Sequence, residues 1–358
     1  MGLCLSVGAN RSRPGKRKAM NPRYRSQLLM RRNDMNASGE KGEVLQHPEL
    51  KMFRFSELKA ATLDFNQNNV VDQGGYGPVF KAWINLDTLT AASPETGMLV
   101  AVKMLDQNGS HDLQEWLTEI KQQAPLCHPN IVKLIGYCLE NAHWLLVYQY
   151  MPNGSLENHL FTRGNLSWKQ RIEIAVGAAR GLAFLHNEAD VVFRDFHTSN
   201  ILLDLNFNAK LSHFGLTKDG PSDAKSHITT RVLGMEWYLA PEYINTGHLR
   251  KSGDVYSYGV VLLEVLSGRR AMEMNMETPE RNLVKWAKPW LNHKRKFLNV
   301  VDPRLNGQFS STDVLKAGQL AYQCLSSDPN QRPKMDAVVK ALEQLASSLP
   351  SERDTSAF

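Results

Sequence analysis

Three features between residues 69 and 120 could together hold phosphate groups. The stretch "NVVDQGGYGPVFKAWI" sets valines on both sides of a glycine-rich turn, the pattern of a strand, a loop and a second strand whose backbone amides can cradle phosphate oxygens. Alone, such a turn is weak support. "VAVK" at 100–103 follows, alternating like a central strand and ending in Lys103. Sixteen residues later Glu119 lies in "LQEWLTEI", where Leu113, Trp116, Leu117 and Ile120 recur at helical spacing. A strand lysine paired with a helical carboxylate keeps a polyphosphate in register, because the carboxylate fixes the ammonium that meets the phosphate.

Positioning these groups takes a large scaffold. At 358 residues and 42% hydrophobic content the chain can bury a sizeable core, and the expectation is one two-lobed domain with flanking segments. Disorder throughout is excluded. The net charge of +6 is uneven: residues 1–35 hold nine Lys or Arg against Asp34, net +8, leaving 33 basic against 35 acidic residues, net −2, in the remainder. A near-neutral body argues against a nucleic-acid groove. Cys4, Cys127, Cys138 and Cys324 show no paired metal spacing and are too sparse for a disulfide framework, which points to a reducing compartment. No apolar run approaches the roughly 18 residues of a spanning helix, and the best, "YGVVLLEVL", is broken by Glu264. "FRFSELKAATLDF" reads as an amphipathic lead-in, residues 49–64, to a domain over 65–345.

Further motifs carry a family resemblance. "HPNIVKLIGYCLE", "LLVYQYMPNGSLENHLF", "RDFHTSNILLD", "APEY", "DVYSYGVVLLEVLSGRR" and "DPNQRP" occur in that order, and the chain resembles protein kinases, closely the plant receptor-like cytoplasmic kinases. The resemblance covers about residues 53–345. It implies an α+β, bilobal fold: a strand-rich N lobe to about Tyr150, a hinge near Met151 and a helical C lobe. It implies ATP with Mg²⁺ as cofactor, with Val71, Gly74, Gly75, Gly77, Val79, Ala101, Lys103, Met151 and Asn200 about the nucleotide. By the same match Asp195 is the catalytic base and Asn200 a Mg²⁺ ligand. Arg194 marks an activation loop that a phosphate can order, and Thr229 and Thr230 match phosphoacceptor sites. Glu242 and Arg332 match a salt bridge of the C lobe, Asp254 a brace of the catalytic loop, and Tyr148 the guard of the adenine pocket. Phe193, where His or Tyr is usual, is expected to pack.

Four departures fall on metal, phosphate and substrate contacts. His213, in "NAKLSHFGLTKDG", replaces the principal Mg²⁺ ligand, and Mg²⁺ requires hard oxygen donors. At its reference pKa near 6.5 this imidazole is also expected to be cationic part of the time. Asp72 stands at the first glycine of the Gly-x-Gly-x-x-Gly pattern. A carboxylate about 6 Å from a phosphate charge costs roughly 3 kcal/mol at an effective dielectric near 20. His197 replaces the catalytic-loop lysine, a loss typically of about 10² to 10³ in rate. Met235 replaces the threonine below the substrate site, and Glu236 and Trp237 enlarge a small, uncharged pair. The lobe-stabilising positions stay intact. Two readings follow: a pseudokinase or severely impaired kinase serving as scaffold or phosphorylation target beneath a receptor, and an active Ser/Thr kinase transferring the γ-phosphate of ATP to proteins.

The N-terminal arm supplies a location. Met1-Gly2-Leu3-Cys4-Leu5-Ser6 fits the myristoylation pattern. One myristoyl chain anchors only marginally, but Cys4 can take a palmitoyl chain and the +8 arm can attract anionic lipid. Residues 1–48 and 346–358 are expected to lack fixed structure, and the protein to reside at the cytoplasmic face of the plasma membrane among receptor kinases or other signalling proteins. Replacing Gly2 removes the acylated nitrogen, so Gly2→Ala should move a fluorescently tagged protein from membrane to cytosol. An unchanged membrane fraction would place the anchor elsewhere.

Overall fold

Alternating apolar residues build the first half of the chain into a sheet. The computed structural model describes residues 50–74, 77–105, 113–140, 143–163, 166–221, 227–276, 280–291, 297–305 and 307–349. Gly2, Cys4 and the rest of the arm expected over 1–48, Gly75, and the tail from 350 lie outside the described residues. Strands β1 (Lys51–Met52), β2 (Val70–Gly74), β3 (Gly77–Ile84), β4 (Met98–Met104), β5 (Leu134–Glu140) and β6 (His143–Gln149) form one six-stranded sheet in the order β1-β5-β6-β4-β3-β2. β1 runs parallel to β5 and the other pairs are antiparallel.

Each face of this sheet carries one helix. α1 (Phe55–Ala61), from the amphipathic lead-in, packs Leu58 and Ala61 with Phe53, Val100, Val102 and Val147. On the other face α2 (Leu113–Gln123) buries Trp116 and Ile120 with Leu105, Leu134, Tyr137 and Leu146. Side chains alternate along a strand. With Val100 and Val102 committed to α1, Ala101 and Lys103 must face the α2 side.

β1 reaches β5 only because position 136 has no side chain. A Cβ on Gly136 would stand 2.1 Å from the Lys51 carbonyl oxygen and 2.7 Å from the Phe53 ring.

After Met151 the chain is mostly helical. Its main elements are α3 (Trp168–Asn187), α4 (Pro241–Thr246), α5 (Lys251–Ser267), α6 (Leu283–Leu291), α7 (Ser311–Cys324) and α8 (Met335–Ser347). The strands are short pairs: β7 (Val191–Val192) with β10 (Lys218–Asp219), β8 (Ile201–Leu203) with β9 (Ala209–Leu211), and β11 (Ile228–Thr229) with β12 (His248–Leu249). Ser167 opens α3 through a capping box with Gln170. α5 is apolar on nearly every side and accordingly buried from Asp254 to Ser267. It ends at Gly268, whose φ of +64° suits glycine. This strand-rich N lobe and helical C lobe are the bilobal arrangement expected. α8 buries Leu345 and continues to Ser347, two residues past the boundary expected at 345.

Two polar braces expected from the sequence are formed. Asp254, in the first turn of α5, accepts from the backbone N–H of Phe193 (2.8 Å) and Arg194 (2.7 Å), and its carboxylate lies 2.8 Å from His186 Nε2. Arg332 grips Glu242 with both Nη atoms, at 2.6 and 2.7 Å. Phe193 packs as expected, edge-on to Phe214 at 5.3 Å.

The crowding at Gly136 makes Gly136→Ala a test of how β1 is held. Overpacking costs typically about 1–3 kcal/mol, so the urea midpoint should fall with an unchanged slope, and trypsin should cut at Lys51 faster. Wild-type stability in this variant would show that the close approach does not matter.

Candidate active site

The centre of the cleft is a buried polar cluster. Lys103 Nζ lies 3.2 Å from Glu119 Oε2, with side-chain exposures of 11% and 4%. β4 delivers the lysine and α2 the carboxylate. Tyr148, on β6 opposite Ala101 in the sheet register, donates its hydroxyl to Glu119 Oε1 at 2.5 Å. Burial opposes ionisation of Glu119, but the Lys103 charge beside it leads the effects that hold its pKa below the usual value. Burial and the same carboxylate push the Tyr148 hydroxyl well up, so it stays a donor.

His213 joins this cluster. Its Nδ1 is 3.1 Å from Lys103 Nζ and 3.8 Å from Glu119 Oε2. An ammonium has only donors, so Nδ1 accepts. Burial, and then the Lys103 charge, lower the His213 pKa to about 4. The part-time cation expected from the sequence is therefore corrected: in the fold this imidazole is neutral at neutral pH. Its backbone adopts φ +68°, uncommon for a residue with a side chain, and the next residue, Phe214, is fully buried. The donor set does not fit Mg²⁺. Where the ion asks for an anionic oxygen, His213 offers nitrogen, and the nitrogen facing the cleft already accepts from Lys103.

The catalytic loop brings Asp195, His197 and Asn200 together. Asn200 Nδ2 donates to the Asp195 carbonyl oxygen (2.9 Å) and carboxylate (3.0 Å), and lies 2.9 Å from His197 Nε2. Burial pushes the Asp195 pKa up, but the hydrogen bond and charge of His197 outweigh it and the carboxyl sits below its usual range. His197 Nε2 is 3.4 Å from Asp195 Oδ2, while its buried Nδ1 has no hydrogen-bond partner among the described residues. A lysine could reach beyond Asp195 toward a phosphate, whereas this short ring rests against the carboxylate.

The other nucleotide positions flank the cluster. Val79 pairs with Lys103 across β3 and β4, Gly74 pairs with Gly77 at the end of the hairpin, and Gly77 uses φ +95°. Met151 is buried, Val79 and Ala101 are partly buried, and Val71 is exposed. Asp72 is also exposed, so water screens its carboxylate and the repulsion computed from bare distance is an upper figure.

The activation segment separates the two threonines. Thr229 is exposed on β11 and pairs with His248, while Thr230 Oγ1 lies 3.5 Å from an Arg194 Nη. Arg194 also donates to Tyr243 Oη (2.8 Å) and to the Arg231 carbonyl oxygen. It already holds the segment through backbone and hydroxyl contacts. Met235, 46% exposed, offers no donor where a threonine would.

One pair escaped the sequence reading. Tyr238 donates to Glu264 Oε1 at 2.9 Å, inside the C lobe below the shelf. Burial first of all raises the Glu264 pKa to about 8, so this carboxyl is protonated at neutral pH. Its only signal in the sequence was a charge interrupting an apolar run.

The depressed pKa of His213 sets a pH window. Between pH 6.5 and about 4 the unfolded chain binds a proton here that the folded chain refuses, so this contribution is complete above pH 6.5 and is lost as pH falls toward 4. The stability difference between wild type and His213→Asn, from urea unfolding at pH 7, 6 and 5, should shift against wild type by up to about 1.4 kcal/mol per pH unit. A difference independent of pH would mean that the imidazole is not held neutral.

Comparison with known proteins agrees with this geometry. A family model described as protein tyrosine and serine/threonine kinase matches residues 65–342. The probable serine/threonine-protein kinase PBL10 of Arabidopsis thaliana is 52% identical over 361 residues, covering 96% of this chain and 86% of its own. Receptor-like cytoplasmic kinase 176 of Oryza sativa subsp. japonica is 52% identical over 311 residues, covering 86% of this chain and 79% of its own. The serine/threonine-protein kinase BIK1 of Arabidopsis thaliana is 50% identical over 324 residues, covering 89% of this chain and 82% of its own. With the Lys103–Glu119 pair, the Asp195 loop and the two lobes in place, the chain belongs to the protein kinase family, among the plant receptor-like cytoplasmic serine/threonine kinases.

Proposed function

We propose that this protein is a kinase-shaped signalling module whose Mg²⁺-dependent phosphoryl transfer is strongly reduced, and that it serves receptor kinases as scaffold or phosphorylation target. The observation that carries this reading is His213: a buried, neutral imidazole engaged with Lys103 at 3.1 Å, at the position of the family's metal-binding carboxylate. His197, resting on Asp195, supports the same reading, and so does Met235 on the substrate shelf. The residues proposed for a nucleotide remain Val71, Gly74, Gly75, Gly77, Val79, Ala101, Lys103, Met151 and Asn200. Acylation at Gly2 and Cys4 would hold the protein at the cytoplasmic face of the plasma membrane. Thr230, beside Arg194, and its neighbour Thr229 are the proposed phosphoacceptors, since a phosphate there gains charge-assisted bonds to the guanidinium.

A second reading, an active Ser/Thr kinase using ATP, draws on specific observations too. The Lys103–Glu119 pair is closed, Asp195 is held ionised beside Asn200, and the relatives bear the names of serine/threonine kinases.

Transfer of labelled γ-phosphate decides between them. The purified protein with Mg²⁺ should match its Asp195→Asn variant, and His213→Asp alone should recover little, because groups serving one transition state are strongly non-additive. Transfer should rise appreciably, by about 10²-fold or more, only when Asp72→Gly and His197→Lys are added, with Met235→Thr a further gain. Robust transfer by the unmodified protein, abolished by Asp195→Asn, would overturn the impaired reading in favour of the second.

A further inference from the structure

We propose that His213 is a positioning residue that locks α2 inward against the sheet without nucleotide or metal, by closing the charge balance of the Lys103–Glu119 cluster within the chain itself. The proposal deepens the impaired-kinase reading and rests on it. Its first ground is charge. Lys103 contributes one positive charge, Glu119 one negative charge, and Tyr148 and His213 are neutral, so these four side chains sum to zero, while Asp195 and His197 act on His213 in opposite directions. An aspartate at 213, as in the family, would set a second carboxylate about where Nδ1 now stands, 3.8 Å from Glu119. Two carboxylates would then share one ammonium, and a buried group left with net charge is strongly unfavourable unless a cation joins it. With histidine, no such cation is needed.

The second ground is geometry. The chain around His213 is pinned where the imidazole must meet Lys103: Phe214 is fully buried edge-on to Phe193, and Leu211 is fully buried in β9. α2 lies directly on this segment, since a Cβ at Gly215 would be 3.5 Å from the Glu115 carbonyl oxygen. At the C-terminal turn of α2, Gln122 Nε2 donates to Asp219 Oδ1 at 2.9 Å, and Asp219 belongs to β10, paired with β7. One end of the helix is thus tied to the C lobe by Gln122, and its middle is held to β4 through Glu119, Lys103 and His213. The result is a closed kinase shape presented to partners at any nucleotide concentration.

Hydrogen exchange of the full-length protein tests this, with α5 as internal reference. In the wild type, amide protection in α2 should be the same without ligand, with Mg²⁺ alone and with Mg²⁺ plus ATP. In nucleotide-free His213→Asp it should fall at least about tenfold, the population change that about 1.4 kcal/mol produces, while α5 is unchanged. Mg²⁺ with ATP should restore it, which repair of a general packing defect would not do. His213→Asn keeps a neutral acceptor and tolerates positive φ, so its α2 should match the wild type. Rising α2 protection in the wild type on adding nucleotide would overturn the proposal, as would wild-type protection in ligand-free His213→Asp. Should His213→Asp unfold α5 as well, His213→Asn and the wild-type ligand response decide: loss of α2 protection in His213→Asn overturns the lock. Labelled-phosphate transfer, scored separately, tests the impaired reading, so failure of either is seen without the other.

Discussion

An ammonium and a carboxylate taken out of water must find each other and fill every remaining hydrogen-bonding direction, and around Lys103 and Glu119 this requirement organises the N lobe. Removing one partner of such a buried pair typically costs about 3–5 kcal/mol, because the other charge is left behind. The elements about it follow from that demand. β4 commits Val100 and Val102 to one face so that Lys103 emerges on the other, α2 buries Trp116 and Ile120 to bring Glu119 within reach, and Tyr148 takes the second carboxylate oxygen. His213 completes the lysine's shell from the C lobe. A contact that joins two strands, a helix and the segment before Phe214 fixes where the lobes meet.

The C lobe meets the same demand in three ways. Asp254 satisfies its buried charge with two backbone amides and His186. Arg171, fully buried, spends its donors on Asp302 at 2.7 Å, the Val265 carbonyl oxygen at 2.9 Å and the Leu166 carbonyl oxygen at 3.1 Å. Among the described residues Glu264 has no cationic partner, and the proton it retains up to about pH 8 avoids a buried charge altogether. Tyr238 hangs from this neutral carboxyl, and its carbonyl oxygen accepts from Ser257 at 2.7 Å. The turn that carries Met235 and Glu236 is therefore braced from within the C lobe through Tyr238.

The departures in the cleft differ in kind. His213 is drawn into the buried cluster, its Nδ1 accepting from Lys103. His197 rests on the Asp195 carboxylate with Nδ1 buried and, among the described residues, without a hydrogen-bond partner, and an unmade bond of that sort costs about 1–3 kcal/mol. Asp72 is exposed, so its effect on a phosphate is weakened by water. The residue types at these cleft positions thus differ from the family pattern while the two-lobed architecture that presents them is kept.

The order of amino acids alone carried what depends on local pattern and on motif order. Alternation in "VAVK", helical spacing about Glu119, the apolar run of α5, and the ordered motifs from "HPNIVKLIGYCLE" to "DPNQRP" establish the two lobes. They also place Asp195, Asn200, Asp254 and the Glu242–Arg332 pair. What it could not decide was protonation and partner choice, because both depend on burial and on residues far apart in the chain. His213 looked part-time cationic at its reference pKa, yet Lys103, 110 residues away, and burial make it neutral. Thr229 and Thr230 looked equivalent until β11 turned one toward Arg194 and the other outward. Glu264 looked like a charge in an apolar run, and only the packing of Tyr238 against α5 shows it as a neutral anchor. A side chain's identity is local, but its charge state is set by the dielectric and the neighbours that tertiary folding brings to it.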